Sequence, residues 1–572
     1  MAKFDLKSRA GTAYFNFQMI VRWAAFALGA FLGLLLGVWP FSPSTGAAVL
    51  YAFFLTFPIG LIGGPIYLYR RLKKDDAEHV TADADMMNVP EPEMTAEEKA
   101  AYRSGFVGLY AGVSTGMLAE RGHASGVSRG YRIDLSPEDC AKNIIVFGGI
   151  GAGKTTRSIN RMLYGILTQN TGALIFDIKT DFGETVHLLA EQTDRTVKIV
   201  GDGGMTLNLL RGCSPELAAS YLKSCFLAQG QGHGDSAFWV DSAVEACRHG
   251  LTLLNLLDVP HYSIAGLYDV IFSDEDRDKL LADGAARIDT MSDRDQRLFV
   301  QSQRFWINVW NQHDEKLRRN IMGTINAVLS PFAHPDLVDA FSEPSAQGEA
   351  DMSELIRDGA VFLVNLPMTK YGREGARFAY LLIKLRFFDL MRGRKQHKEW
   401  DQSRHVAFIC DEYQAIVDPI SDGDFWDKSR STKTVGIVSM QGVASLVQAL
   451  GGNRQAADAI LQNFRQRFIY RTEDEATLRM VQSVLGQVDV EITSESYSDS
   501  VSVSNPTSMQ GSASRSTSAS ASDSYSMTRQ DLFGANDMRG LDADYCLFIG
   551  NVGSEAADEV LRVQPLYVEV NV

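Results

Sequence analysis

Eight residues, Gly148-Gly-Ile-Gly-Ala-Gly-Lys154-Thr155, constrain the fold of this chain more than any other stretch. They carry the spacing Gly, four residues, then Gly-Lys-Thr, directly after the apolar run Asn143-Ile-Ile-Val-Phe147 and ahead of a helical stretch beginning near Thr156. Strand, glycine-rich loop and helix in that order make a phosphate cradle, in which glycines let backbone N–H groups converge on phosphate oxygens. Lys154 then reaches the terminal phosphates, and the Thr155 hydroxyl is a ligand for Mg2+. The candidate ATP-binding residues are therefore Gly148, Gly149, Ile150, Gly151, Ala152, Gly153, Lys154, Thr155 and Thr156.

Other short apolar runs read as buried strands: Ala173–Phe176, Val361–Val364, Val406–Ile409 and Val435–Val438, with Val197–Val200, Phe468–Tyr470 and Cys546–Ile549 as further candidates. Continuous apolar strands separated by helix-like segments describe an α/β sheet covered on both faces. Between 215 and 330 the period changes: Pro215–Phe226, Ala237–Leu256 and Arg294–Trp310 show helical spacing without strand signals, which reads as an inserted all-α domain. The sheet domain is expected in two parts, 101–214 and 331–572.

Two strand ends add chemistry. His405-Val-Ala-Phe-Ile-Cys-Asp411-Glu412 ends an apolar run in two acids, which assigns Asp411 to Mg2+ and Glu412 to the attacking water. A further run ends in Ser439-Met440-Gln441, placing an amide, Gln441, where it senses the terminal phosphate. Arg430, in Lys428-Ser-Arg-Ser-Thr-Lys433, precedes that run and is a candidate to act on a neighbouring subunit's nucleotide. An arginine finger of that kind contributes roughly 10³–10⁵ in kcat.

Upstream, Trp23 to Tyr69 is a run of 47 residues without a charged or His side chain. A membrane span needs about 20 apolar residues, so the run accommodates two, near 23–41 and 46–69, broken at Trp39-Pro-Phe-Ser-Pro-Ser-Thr45. Residues 1–74 thus read as a membrane anchor. Lys3, Lys7, Arg9 and Arg22 precede it and Arg70, Arg71, Lys73 and Lys74 follow, which puts both chain ends and the ATPase body on the cytoplasmic side. Residues 75–100, acidic and with Pro90 and Pro92, read as a linker.

A net charge of −15 excludes a protein that coats nucleic acid by bulk electrostatics, so any such contact is local. Six scattered cysteines suggest neither a disulfide framework nor a zinc site. In 494–527, serine takes nearly every even position, as in Ser494-Glu-Ser-Tyr-Ser-Asp-Ser-Val-Ser502. A flexible loop is the expectation, although the period-two alternation also suits an extended hairpin.

Taken together, these motifs resemble the coupling-protein ATPases of type IV secretion and bacterial conjugation, the TraD/TraG/TrwB-like family. The resemblance covers nearly the whole chain: the two-span anchor, Gly148–Thr155, Phe176-Asp-Ile-Lys-Thr-Asp181, Leu207-Asn-Leu-Leu210, Phe238-Trp239, Asp411-Glu412, Gln441 and Ala543-Asp-Tyr-Cys-Leu-Phe-Ile-Gly550. It implies a RecA-like P-loop ATPase domain with an inserted all-α domain, assembled as a homo-hexamer at the bacterial inner membrane. It implies ATP and Mg2+ as cofactors, and as partners DNA, single-stranded and carried by a relaxase, together with components of the type IV secretion channel. Recruitment of secreted effector proteins without DNA pumping is the alternative reading. Thr180-Asp181 departs from the Gly-Glu that the family carries after its lysine, leaving the roles of Asp177 and Lys179 open. A chromosome-partitioning pump would bring more spans, and an ABC transporter a Leu-Ser-Gly-Gly-Gln-like signature that this chain lacks.

Overall fold

The computed structural model describes residues 104–229, 236–342, 347–504 and 514–567, together with Tyr102. The expected anchor and linker lie outside these residues. Among the described residues, no helix is long and apolar enough to cross a membrane.

The described residues form thirteen strands: β1 (Leu109–Ser114), β2 (Arg132–Leu135), β3 (Ile144–Phe147), β4 (Gly172–Asp177), β5 (Val197–Gly201), β6 (Val361–Asn365) and β7 (Val406–Cys410), then β8 (Thr434–Met440), β9 (Gln466–Ile469), β10 (Gln487–Ser504), β11 (Ser514–Asp531), β12 (Tyr545–Val552) and β13 (Glu555–Arg562). Eleven of them form one sheet in the order β2-β1-β13-β12-β9-β3-β8-β7-β4-β6-β5. From β9 to β5 every neighbouring pair is parallel, and from β12 to β2 every pair is antiparallel.

Parallel strands need crossovers that cover both faces, and the burial follows that rule. Ile145 and Phe147 of β3 join the core on one face with Leu174 and Phe176 of β4, while Ile144 and Val146 join the other with Ala173 and Ile175. Because the parallel strands run the same way, their C-terminal tips share one edge. That edge carries Gly148, Asp177, Asp411 and Gln441.

The all-α region falls between β5 and β6 and runs from Pro215 to Phe341, past the expected boundary at 330. Pro331 and Pro335, which look like breakers in sequence, each sit in the first turn of a short helix, where a missing N–H costs nothing. Ser214, Ser263, Ser273, Ser292 and Asp314 each accept a hydrogen bond from the N–H three residues on, capping five helix starts of this region. Each such cap is worth about 1 kcal/mol, and together they fix where the chain reverses. Phe299, Phe305, Trp306 and Trp310 fill the interior of this region.

The serine-rich stretch takes the extended hairpin that its period-two alternation suits. β10 and β11 pair antiparallel from Gln487↔Asp531 to Ser504↔Ser514 without a register shift. The period of two that looked like low complexity is the period of a strand, and in this register Ser494, Ser496, Ser498, Ser500, Ser502 and Ser504 each stand opposite a serine. The ribbon is rooted by Leu532 N–H on the Gly486 carbonyl and by Gln482 on Asp531. All six cysteines are buried free thiols.

Candidate nucleotide site

The loop after β3 is shaped by its glycines and by the chain packed against it. Gly151 and Gly153 have φ of 71° and 92°, left-handed values that favour glycine. A Cβ on Gly148 would lie 2.8 Å from the Cβ of Tyr470, so only glycine fits beneath that side chain. Gly149 N–H donates to the Arg471 carbonyl at 3.0 Å, which pins the loop to the end of β9. Ile150 is 92% exposed at the loop's crest. The first turn of the following helix, Lys154–Ile159, is wound as a π-helix. Arg157 within it reaches Asp544 at 3.2 Å, just ahead of β12. The segment from 472 to 543, ribbon included, therefore leaves and rejoins the sheet beside the phosphate loop.

Lys154 Nζ donates to the carbonyls of Gly148 at 2.6 Å and Gly149 at 3.3 Å, so the ammonium lies over the cradle. Burial lowers its pKa, opposed by the charges of Asp411 and Glu412. Thr155 Oγ1 donates to Asp411 Oδ2 at 3.2 Å, joining the first helix turn to the tip of β7. Ser439, near the end of β8, donates to the other Asp411 oxygen, as does the Glu412 N–H at 3.1 Å. Parallel register explains the meeting: β8 lies between β3 and β7, pairing Val146 with Ser439 and Cys410 with Val438.

Glu412 is 7% exposed and sits at φ 66°, a left-handed conformation uncommon for a non-glycine residue. Lys179, beyond the end of β4, forms an ion pair with Glu412 Oε1, and Gln414 Nε2 donates to Oε2. Burial works against the Lys179 charge, yet the hydrogen bond and charge of Glu412, helped by Asp411 and Asp181, raise its pKa overall. Asp177 serves the backbone instead: its oxygens accept the N–H groups of Gly183 at 2.8 Å and Phe182 at 3.3 Å. Burial raises the Asp177 pKa, and those N–H groups hold it down.

Lys154, Thr155, Asp411 and Glu412 thus converge as the sequence led us to expect. Gln441 is exposed one residue past Met440, whose partner in the sheet is Phe147, so it stands beside Gly148. Arg430 is exposed in the turn before β8, at the opposite end of that strand from the chain's own phosphate loop. Ser439 and Gln414 were given no role from sequence, and the role of Lys179 was left open. Ser439 was visible as the first polar residue after an apolar run, and Lys179 as a cation just past another, but only strand adjacency gives either a partner.

The donor set fits Mg2+ and a nucleotide. A hydroxyl beside one carboxylate suits Mg2+, which ordinarily takes one or two carboxylates and completes its shell with water and phosphate. Among the described residues, no group of three His, Cys, Asp or Glu side chains could hold a metal alone.

Residues 405–543 match a family model described as the TraM recognition site of TraD and TraG. The fold matches the bacterial conjugative coupling protein TrwBΔN70 in an unbound monoclinic form, with a TM-score of 0.52 at 13% identity over 77% of this chain and 88% of that one. It also matches plasmid coupling protein TrwB in complex with ADP and Mg2+, with a TM-score of 0.51 at 14% identity over 82% and 96%. The fold is TrwB-like, and residues 405–543 resemble a segment of TraD and TraG. A third similar structure, TrwB with a non-hydrolysable GTP analogue, gives the same TM-score of 0.51 at 14% identity over 82% and 96%. Comparison with curated proteins found no match. The family match begins at His405 and so takes in β7, Asp411, Glu412 and Gln441 of this chain, but not its phosphate loop.

Proposed function

We propose that the chain is a membrane-anchored coupling ATPase that recruits a relaxase–DNA complex to a type IV secretion channel and drives DNA transfer during conjugation. The observation that carries this reading is the Thr155–Asp411 contact, which brings the phosphate-loop hydroxyl and the strand-tip carboxylate to one point at the sheet edge. ATP with Mg2+ would supply the phosphoryl-transfer free energy there. The chain's own parts are then distinct. The loop between Gly149 and Lys154 would present backbone donors, and Lys154 would supply a cation to the phosphates. Thr155 and Asp411 hold the metal, with Ser439 fixing the Asp411 carboxylate. Glu412 orients water, and Gln441 stands where a terminal phosphate is sensed.

Assembly as a homo-hexamer would let Arg430, remote from its own loop, meet a neighbour's site, making hydrolysis conditional on the ring. The uncharged run Trp23–Tyr69 supports a two-span hairpin in the bacterial inner membrane with the ATPase body in the cytoplasm. Solved relatives in complex with ADP and Mg2+ and with a GTP analogue support nucleotide use on this fold.

The test is turnover of the detergent-solubilised full chain with and without single- and double-stranded DNA, alongside Lys154→Ala. We expect hydrolysis stimulated by DNA and lost in the variant. Turnover indifferent to Lys154 would overturn the site. Hydrolysis indifferent to DNA but responsive to a secreted protein would overturn the DNA-transfer reading.

A further inference from the structure

Two loops at the nucleotide edge hold non-glycine residues in left-handed backbone: Thr180 at φ 61° after β4, and Glu412 at φ 66° after β7. For a β-branched residue such as Thr180 this conformation is a genuine outlier, and backbone strain of this kind persists only where the surroundings enforce it. β4 and β7 are neighbours, with Phe176 paired to Cys410, so the two strained turns lie side by side. What joins them is the Lys179–Glu412 ion pair.

Glu412 has both carboxylate oxygens engaged, Oε1 by the Lys179 ammonium and Oε2 by the Gln414 amide. A carboxylate that orients water needs an oxygen turned toward that water. The arrangement also leaves Gln414 Oε1 buried without a hydrogen-bond partner, an uncompensated cost in this position of the loop. Lys179 is the more mobile partner: its side chain is 49% exposed on a long flexible stem, against 9% for Glu412.

We propose that Lys179 is a positioning residue, a latch that holds Glu412 by one oxygen and keeps it from water until the lysine is drawn off. The proposal deepens the ATPase reading and rests on it. The latch is a cation two residues beyond Asp177, past the end of a strand separated by two others from the strand that carries the phosphate loop, since the sheet order at this point is β3-β8-β7-β4. The anion that competes for Lys179 is one placed on the same strand-tip edge. Thr180 and Asp181 shape the turn that aims it.

The full-length protein tests this with Lys179→Met, Lys179→Arg, Glu412→Gln and the Lys179→Met/Glu412→Gln double variant. Without nucleotide, the two single changes should each lower the thermal midpoint, and the double variant should fall no further than the worse single one. Strict additivity would show that the pair is not formed. With ATP but no DNA, Lys179→Met should turn over several-fold faster than the parent at unchanged affinity for a fluorescent ATP analogue, and Lys179→Arg should stay near the parent. Slower turnover in Lys179→Met at unchanged affinity would make Lys179 an aid to chemistry rather than a latch, and would overturn the proposal. If the parent itself neither binds nor hydrolyses ATP, the ATPase reading fails, and the nucleotide-free stability cycle still decides whether the ion pair exists.

Discussion

Asp411-Glu412 at the tip of β7 and Asp558-Glu559 inside β13 are the same dipeptide in the same sheet, with Glu412 7% and Glu559 0% exposed. Their oxygens meet different partners. Glu559 accepts the backbone N–H groups of Leu118 at 2.8 Å, Ala119 at 3.1 Å and Val560 at 2.9 Å, so it caps a short helix 441 residues away in sequence. Asp558 accepts Gly550 N–H at 3.2 Å and faces His123 Nε2 at 2.9 Å. Asp411 meets the hydroxyls of Thr155 and Ser439, and Glu412 meets Lys179 and Gln414. Backbone donors cannot leave a carboxylate without unravelling the chain, whereas side-chain donors can rotate away. Of the two glutamates, Glu559 is held by backbone amides and is structural, whereas Glu412 is held by movable side chains and remains available for chemistry.

The sharpest way to break this contrast is to make one substitution at both glutamates. Glu412→Gln should lower ATP turnover by about 10²–10⁴-fold, the usual worth of a positioned base, with nucleotide affinity retained. Glu559→Gln should leave turnover per folded molecule unchanged; a comparable loss there would erase the distinction. Stability should show the reverse pattern. Glu559→Gln sets an amide donor against buried N–H groups and should cost about 1–3 kcal/mol in denaturant unfolding, against a smaller change for Glu412→Gln. The aspartates give a finer version: Asp411→Asn should weaken Mg2+-dependent nucleotide binding measured by fluorescence titration, while Asp558→Asn should not. Smallest of all, Ser439→Ala should lower turnover only a few-fold, since Thr155 and the Glu412 N–H still hold Asp411. A loss as large as that of Glu412→Gln would mean Ser439 does more than orient its neighbour.

The parallel half of the sheet was legible because its strands are buried on both faces and so read as unbroken apolar runs: Ile144–Phe147, Leu174–Phe176, Phe362–Val364 and Phe408–Ile409 all lie at 1% exposure or less. β13 was not, because Glu555-Ala-Ala-Asp-Glu reads as a solvated turn, and the donors that neutralise its acids come from distant residues. The same limit hid the partners of Glu412: the sequence names an acid at a strand end, but strand order alone puts Lys179 next to it. The ribbon was ambiguous for another reason, since alternating serine satisfies the composition of a loop and the period of a strand at once. Arg430 was legible as a cation ahead of β8, but not as one facing away from its own loop.

The ribbon turns a local event into a distant one. Its two strands of 18 residues, at roughly 3.3 Å per residue, extend about 60 Å. The segment that carries them is tied to the phosphate loop on both sides, by Gly149 to Arg471 and by Arg157 to Asp544. For an arm of this length, a tilt of about 10° at the root would sweep the far end through about 10 Å. Movements too small to see among the loop's own atoms are magnified there, and distance measurements between labels on the ribbon and the sheet would read them directly.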